Sequence, residues 1–179
     1  MNPYTWLTIA FCASSNLAES FHYDKRDREF YSIHLGDLFM LNEDLTLNEN
    51  ASSSDSLAVQ QLIANRVQRE DKGDPDIVNI YPLKAAYRKD IMQAFLDQIS
   101  DPQLLRILEQ RIINQDGSQR FDFYLGNEAT ESVKSAWEAF KQVRLTFYID
   151  QFLQEHGIDL KVSRVWDADE DVEVNVKLK

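Results

Sequence analysis

The opening stretch of the chain places its apolar residues at helical spacing. Between Tyr4 and about Ser15 they recur at steps of three and four, which predicts an amphipathic first helix with one buried face. The predicted face consists of Trp6, Ile9, Ala10 and Ala13. The single cysteine, Cys12, lies in this helix with no cation near it in sequence, so we expect a buried thiol with a structural role.

After this helix, the spacing of the apolar residues changes to the alternation that is typical of a β-strand. Two aromatic-rich runs, 21–23 and 30–35, flank the polar residues 24–29, which predicts a β-hairpin with a polar turn. A turn centred on residues 26 and 27 pairs His22 with Tyr31 and His34 with Glu19. These two pairs point to opposite faces of the sheet, because side chains alternate along a strand.

Helical spacing returns further along the chain, interrupted by one short strand. The predicted elements are a helix at 57–69, a strand at 77–81, a helix over 83–99, a helix that Asp101 caps and Pro102 begins, and a long helix from about Thr130 to His156. Gly157 follows the long helix as a C-terminal capping glycine. Since this helix is apolar on two successive faces, we expect it to be central, with neighbours on several sides.

Two further alternating segments, 160–162 and 172–178, predict strands near the C-terminus. The elements together predict an α+β fold, with a central helical layer and a small antiparallel sheet built from the N-terminal and C-terminal hairpins. A length of 179 residues favours a single domain over 1–179. The segment 42–56 is rich in Asn, Ser, Asp and Glu, which predicts a mobile surface loop.

The excess of acidic over basic residues disfavours two classes of partner, nucleic acids and anionic membranes. With 19 basic and 30 acidic residues the formal net charge is −11, so the chain repels phosphate backbones and anionic membrane surfaces. We therefore expect neither a nucleic-acid binder nor a membrane protein. The apolar stretch near the start lacks the preceding positive charge of a secretion signal, because the first basic residue is Lys25. With a single cysteine, this favours a cytoplasmic location.

Recognisable catalytic and metal-binding motifs are missing from the sequence. It contains no glycine-rich phosphate loop, zincin motif, nucleophile elbow or CxxC pair, so we expect no cofactor, no metal and no catalytic residues. The three histidines are expected to have structural roles. The acidic run 167–173 resembles the start of an EF-hand loop but lacks its glycine and closing glutamate, so a solvated turn is the better interpretation.

A small set of cations and aromatic residues forms the candidate binding site. A cation beside a large aromatic ring can grip a carboxylate or a phosphate. The residues with this combination are Arg120, Phe121, Trp137, Glu138 and Arg144. The alternative interpretation is an internal salt link beside core aromatic residues, which base rates for charged helix residues favour.

Several of these residues fall in runs that resemble uncharacterised protein family 0158, a set of mostly bacterial proteins with no established activity. The runs are Trp137-Glu138-Ala139-Phe140, Arg144-Leu145, 152–158, Ile80-Tyr81-Pro82, Ala86-Tyr87-Arg88, Arg120-Phe121 and Phe21-His22-Tyr23-Asp24. The resemblance implies a similar fold and no mechanism. The chain departs from that family in its glycine-free hairpin turn, in the segment 36–76 and in the C-terminal strands.

Three functions remain open on the sequence alone. The preferred hypothesis is a non-catalytic interaction or regulatory module that binds a protein partner, since aromatic residues are abundant and catalytic motifs are missing. The second is a small hydrolase or ligand-binding enzyme that uses carboxylates in a surface cleft. The third is an acidic mimic of nucleic acid. The sequence does not choose between them and does not fix the oligomeric state.

Overall fold

The fold is described here from a computed structural model, which defines residues 1–13, 18–48, 56–113 and 129–166. Its elements are α1 (Pro3–Cys12), β1 (Glu19–Asp24), β2 (Glu29–His34), α2 (Leu35–Leu38), α3 (Leu57–Asp71), β3 (Ile77–Ile80), α4 (Ala85–Leu96), α5 (Pro102–Ile113), α6 (Glu131–His156) and β4 (Arg164–Val165). Helices and a small sheet thus occur together in the described residues, which confirms the α+β prediction.

The chain divides into two compact units. The sheet unit comprises Met1–Pro82 with Leu153–Lys179, and the helical unit comprises Leu83–Phe152. A single domain over 1–179 stays a prediction. No helix in the described ranges combines the length and apolar character needed to cross a membrane.

The sheet has four strands in the order β3-β1-β2-β4. β1 and β2 form the predicted antiparallel hairpin, and its register confirms that His22 faces Tyr31 and Glu19 faces His34. β3 is antiparallel to β1, whereas β4 is parallel to β2, so the sheet is mixed rather than wholly antiparallel.

The C-terminal contribution to the sheet differs in detail from the prediction. Residues 160–162 form a turn and not a strand, because the Asp159 carboxylate accepts a hydrogen bond from the Lys161 N–H and so closes a local turn. The strand forms instead at Arg164–Val165. The predicted strand 172–178 and the acidic run 167–173 lie outside the described residues.

The two faces of the hairpin meet different helices. The apolar face packs on α1, where the Trp6 ring lies 5.5 Å from the rings of both Phe21 and Phe30. The opposite face carries polar side chains that contact α3, as described below. Each face therefore has its own covering helix, which explains why alternate residues of β1 and β2 are buried on both sides.

The buried face of α1 differs from the predicted one. It consists of Trp6, Leu7, Ala10 and Phe11, whereas Ile9 is exposed. Cys12 is also exposed, so the expectation of a buried thiol is wrong. Both residues fall on the solvent side because the helix turns its Trp6 ring toward Phe21 and Phe30 of the hairpin.

The predicted loop 42–56 lies partly outside the described residues, which end at residue 48 and resume at residue 56. Its first part forms a hydrogen-bonded turn, since the Asn42 N–H donates to the Thr46 carbonyl and the Asn48 N–H donates to the Met40 carbonyl. Met40 then packs against Val59 and Ile63 of α3. Mobility of the segment stays a prediction.

The helical unit contains α4, α5 and most of α6. The Phe95 ring of α4 packs against the rings of Trp137 and Phe140 on α6, at centroid distances of 5.1 and 5.6 Å. Asp101 caps α5 as predicted, because its carboxylate accepts the N–H groups of the first turn. On α6 the expectation of burial on several sides is wrong, since Val143 and Phe147 are exposed.

Candidate functional site

Three of the five predicted binding residues, Trp137, Glu138 and Arg144, lie on α6. Arg120 and Phe121 lie outside the described residues. Trp137 is buried against Phe95, and the exposed Glu138 forms an ion pair of 2.8 Å with Lys141 one turn away. The guanidinium of Arg144 lies 5.2 Å from the centre of the Phe140 ring.

Among the described residues, these contacts form neither a shared grip on a ligand nor the internal salt link of the alternative interpretation. Glu138 makes a local pair along the helix surface, and the Nζ of Lys141 lies 5.7 Å from the centre of the Trp137 ring. Arg144 is exposed and contacts a different ring from Trp137. The described residues among the five do not converge on one point.

A neighbouring part of α6 presents an exposed apolar surface. Val143 and Phe147, one helical turn apart, are 69% and 65% exposed. The Tyr148 ring contacts the rings of Phe147 at 5.8 Å and Tyr87 of α4 at 5.4 Å. We call Tyr87, Val143, Phe147 and Tyr148 the aromatic stripe. Burial and the nearby charge of Asp90 raise the pKa of the Tyr148 hydroxyl, so its ring stays neutral and can contact an apolar partner.

The sheet unit encloses a group of charged and polar side chains that the sequence did not predict. They project from one face of the hairpin and β3 toward α3, and we call them the polar layer. Its members are His22, Asp24, Glu29, Tyr31 and Asn79 from the strands, and Arg66, Arg69 and Glu70 from α3. On α3, Arg69 and Glu70 lie three and four positions after Arg66, so all three share one face.

Arg66 is an almost fully buried member of the polar layer. Its side chain is 1% exposed, its Nη2 donates to the Glu29 carboxylate, and its guanidinium stacks 4.2 Å from the centre of the Tyr31 ring. Glu29 also pairs with Arg164 of β4. The Nε and Nη1 of Arg66 and the Tyr31 hydroxyl are buried without a hydrogen bond to any described residue. Burial raises the pKa of Tyr31, so its hydroxyl stays protonated.

Asp24 anchors the other end of the polar layer. Burial alone would oppose its ionisation, but hydrogen bonds from the Arg69 guanidinium and the Arg26 N–H outweigh that effect and lower the pKa of its carboxyl. Arg26 reaches back to Asp74 and Asp76 across the hairpin end. The carboxylate is therefore charged, and it ties the hairpin turn to α3.

His22 lies at the centre of the polar layer, 2% exposed, and both of its ring nitrogens have partners. Nδ1 is 2.9 Å from the Asn79 amide oxygen, and Nε2 is 2.7 Å from the Ser20 hydroxyl oxygen. Glu70 approaches Nδ1 to 3.8 Å. Burial lowers the pKa of His22, and it outweighs the opposing effects of Glu70 and Asn79. The imidazole is therefore neutral at pH 7.

The sequence pattern predicts only part of the polar layer. Arg66 stands three residues after Ile63 and seven after Val59, on the face that the helical spacing predicts to be buried. A charged residue on an apolar face is a signal for a buried ion pair, but its partner Glu29 is remote in sequence. Among the described residues, no group of three or more His, Cys, Asp or Glu side chains is arranged to hold a metal ion.

Comparison with known proteins finds no matching family model, no matching curated protein and no matching solved structure. The resemblance to uncharacterised protein family 0158 therefore stays a prediction. The aromatic stripe at the surface and the polar layer in the interior are the two features of the described residues that bear on function.

Proposed function

We propose that this chain is a protein-interaction module that binds its partner through the aromatic stripe. The exposure of Val143 and Phe147 carries the proposal, because two large apolar side chains one turn apart form a ready anchor for a groove on another protein. Tyr148 and Tyr87 extend the same surface with rings that are partly apolar and partly polar. Aromatic residues of this kind are enriched at the centres of protein interfaces.

The charge of the chain indicates what kind of partner fits. Asp90 on α4 and Asp150 on α6 are exposed carboxylates in the same unit as the stripe. The whole chain carries a formal charge of −11, although residues 83–152 are nearly balanced, with 9 basic and 10 acidic side chains. A partner with an apolar groove bordered by Lys and Arg complements this surface. An acidic or nucleic-acid partner would be repelled by the same charges.

The test compares the wild-type chain with a double variant, Val143→Ser with Phe147→Ser, as immobilised baits in a cell lysate. Val162→Ser is the matched control, because Val162 is an exposed apolar residue of the sheet unit at 52% exposure. Bound proteins are identified by mass spectrometry at low and high salt, and a purified candidate is then titrated calorimetrically.

We expect a basic protein that binds the wild type and the control and is lost from the double variant. Its dissociation constant should rise at least tenfold in the double variant, because two apolar anchors at more than about 1 kcal/mol each are removed and about 1.4 kcal/mol is a tenfold change. Equal binding by both variants would contradict the proposal. A stripe-dependent dimer in sedimentation experiments would instead make the partner a second copy of this chain.

A further inference from the structure

We propose that Ser20, His22 and Asn79 form an acyl-transfer site in the sheet unit, with Ser20 as nucleophile, His22 as general base and Asn79 as the residue that orients the base. The substrate class is a small, uncharged carboxylic ester. This activity goes beyond the interaction role of the helical unit. It also departs from the sequence expectation that the histidines are structural.

The sheet register brings the three side chains together. Ser20 and His22 are two residues apart on β1 and so share a face, and Asn79 is the direct cross-strand partner of His22 on β3. Nε2 of His22 lies 2.7 Å from the Ser20 Oγ, and Nδ1 lies 2.9 Å from the Asn79 Oδ1. Both distances fall within the range that a nucleophile, base and orienting group require.

The hydrogen-bond pattern assigns the proton on the ring. The Asn79 amide nitrogen donates to the Tyr81 hydroxyl at 3.4 Å, which turns the amide oxygen toward His22. Nδ1 therefore carries the hydrogen, and Nε2 is left to accept the proton of Ser20. The Ile33 carbonyl is a second acceptor for that hydroxyl, but at 3.5 Å it is much farther than Nε2.

The surroundings of the ring suit a base that is neutral at rest and charged during reaction. The groups that face it are Glu70 and Arg66 from α3, Tyr31 from β2 and Asn79 from β3. Burial keeps the resting imidazole neutral, so that it can accept a proton. Once the imidazolium forms, the Glu70 carboxylate at 3.8 Å from Nδ1 stabilises it, as the carboxylate of a serine-protease triad does.

The reaction balances without any further reactant than water. The Ser20 Oγ forms a bond to the acyl carbon while Nε2 of His22 takes the hydroxyl proton. The tetrahedral intermediate then breaks its bond to the alcohol oxygen, which receives that proton and leaves as the alcohol. Water attacks the acyl-serine in the same way, gives one proton to His22, and releases the carboxylic acid as the Ser20 oxygen regains a proton.

Exposure and charge indicate the substrate class. Ser20 is exposed, while His22 beneath it is buried, so an acyl group can reach the hydroxyl directly from solvent. The Glu70 carboxylate lies 3.8 Å from Nδ1 of the His22 ring, within a chain of net charge −11. A negatively charged acyl group is disfavoured there, and an uncharged ester is not.

The first experiment treats the purified full chain with a fluorophosphonate probe and measures hydrolysis of p-nitrophenyl acetate. Ser20→Ala removes the nucleophile at an exposed position, and Ser135→Ala is the control, because Ser135 is an exposed serine on α6. We expect one probe per chain, mapped to Ser20 by peptide sequencing, and ester hydrolysis reduced about 100-fold in Ser20→Ala. Ser135→Ala should match the wild type. An unlabelled wild-type chain, or hydrolysis equal in Ser20→Ala and wild type, overturns the proposal.

The second experiment tests Asn79 as a positioning residue through the pH profile. Asn79→Leu removes the acceptor and should lower kcat about tenfold or more, whereas Asn79→Asp keeps an acceptor oxygen and should retain activity. The added carboxylate charge should move the acidic limb of the Asn79→Asp profile to higher pH, since it favours the imidazolium. Circular dichroism verifies that both variants fold. Identical pH profiles for Asn79→Asp and wild type would exclude this role for Asn79.

Discussion

At the scale of single residues, Arg66 shows how this sheet unit accommodates charge in its interior. Its guanidinium is withdrawn from water, and the Glu29 carboxylate and the Tyr31 ring replace part of the lost solvation, since Nε and Nη1 have no hydrogen bond to a described residue. Such a pair contributes little against a well-packed apolar alternative, but it is costly to break. Arg66 and Glu29 therefore depend on one another.

This dependence predicts the effect of substitution. Arg66→Met leaves the Glu29 carboxylate buried beside only Arg164, so we expect a loss of about 3–5 kcal/mol in the free energy of unfolding, measured by urea denaturation. Combining it with Glu29→Leu should recover at least half of that loss. The control Lys134→Met breaks an exposed pair with Glu131 and should cost about 0.5 kcal/mol or less. A loss below about 1 kcal/mol in Arg66→Met would mean that the side chain is not buried.

The pKa shifts of His22 and Asp24 predict how stability depends on pH. Both groups have a lower pKa in the folded chain than the ordinary values of 6.5 and 3.8, so the unfolded chain binds more protons below these values. Their contribution to the free energy of unfolding is complete above about pH 6.5. It falls below that pH as His22 protonates, and it falls again below about pH 3.8 as Asp24 protonates. Denaturation at pH 7.5, 6 and 5 measures the first part of this decline. A His22→Gln variant should show a flatter profile there, and an equally steep one would assign the decline to other groups.

At the scale of elements, α6 ends through a specific backbone arrangement. Gly157 adopts φ +66°, and the N–H groups of Gly157 and Ile158 donate to the carbonyls of Gln154 and Leu153. These two bonds form a Schellman motif, which satisfies the last free carbonyls of the helix. A side chain at Gly157 would meet no neighbouring atom, so the backbone conformation is what favours glycine.

Gly157→Ala therefore tests conformation rather than space. We expect a loss of about 1 kcal/mol in the free energy of unfolding, because a residue with a Cβ is strained at this φ. Gly36→Ala is the matched control, since that glycine also has open space around it but no positive φ. Thermal unfolding of the two variants measures the difference. Equal melting temperatures would indicate that the helix ends in another conformation.

The sequence predicted the local elements better than the contacts between them. The hairpin register, the Asp101 cap and the Gly157 stop follow from short-range patterns, and the structure agrees with each. The polar layer depends on α3 lying over the hairpin, which pairs Arg66 with a residue 37 positions away. No local pattern contains that information. The sequence did not predict the exposure of Phe147 for the same reason, because helical spacing identifies an apolar side of a helix but not which element covers it.

At the scale of the whole molecule, the two units carry different chemistry. The helical unit presents an apolar stripe at its surface, and the sheet unit encloses charge and holds Ser20 at an exposed position on β1. The acidic excess lies mostly in the sheet unit, because residues 83–152 contain 9 of the 19 basic and 10 of the 30 acidic side chains, so it favours uncharged substrates at Ser20. Binding of a basic partner should weaken with added salt, whereas reaction of an uncharged ester should not.

The hairpin, β3 and α3 enclose His22 in a fixed, neutral state between Asn79 and Ser20. Long-range ¹H–¹⁵N NMR spectra of the His22 ring, recorded as a function of pH, measure this state. We predict a ring that carries its hydrogen on Nδ1 and titrates below pH 6.5. A hydrogen on Nε2, rapid exchange between the two forms, or titration above pH 6.5 would contradict it.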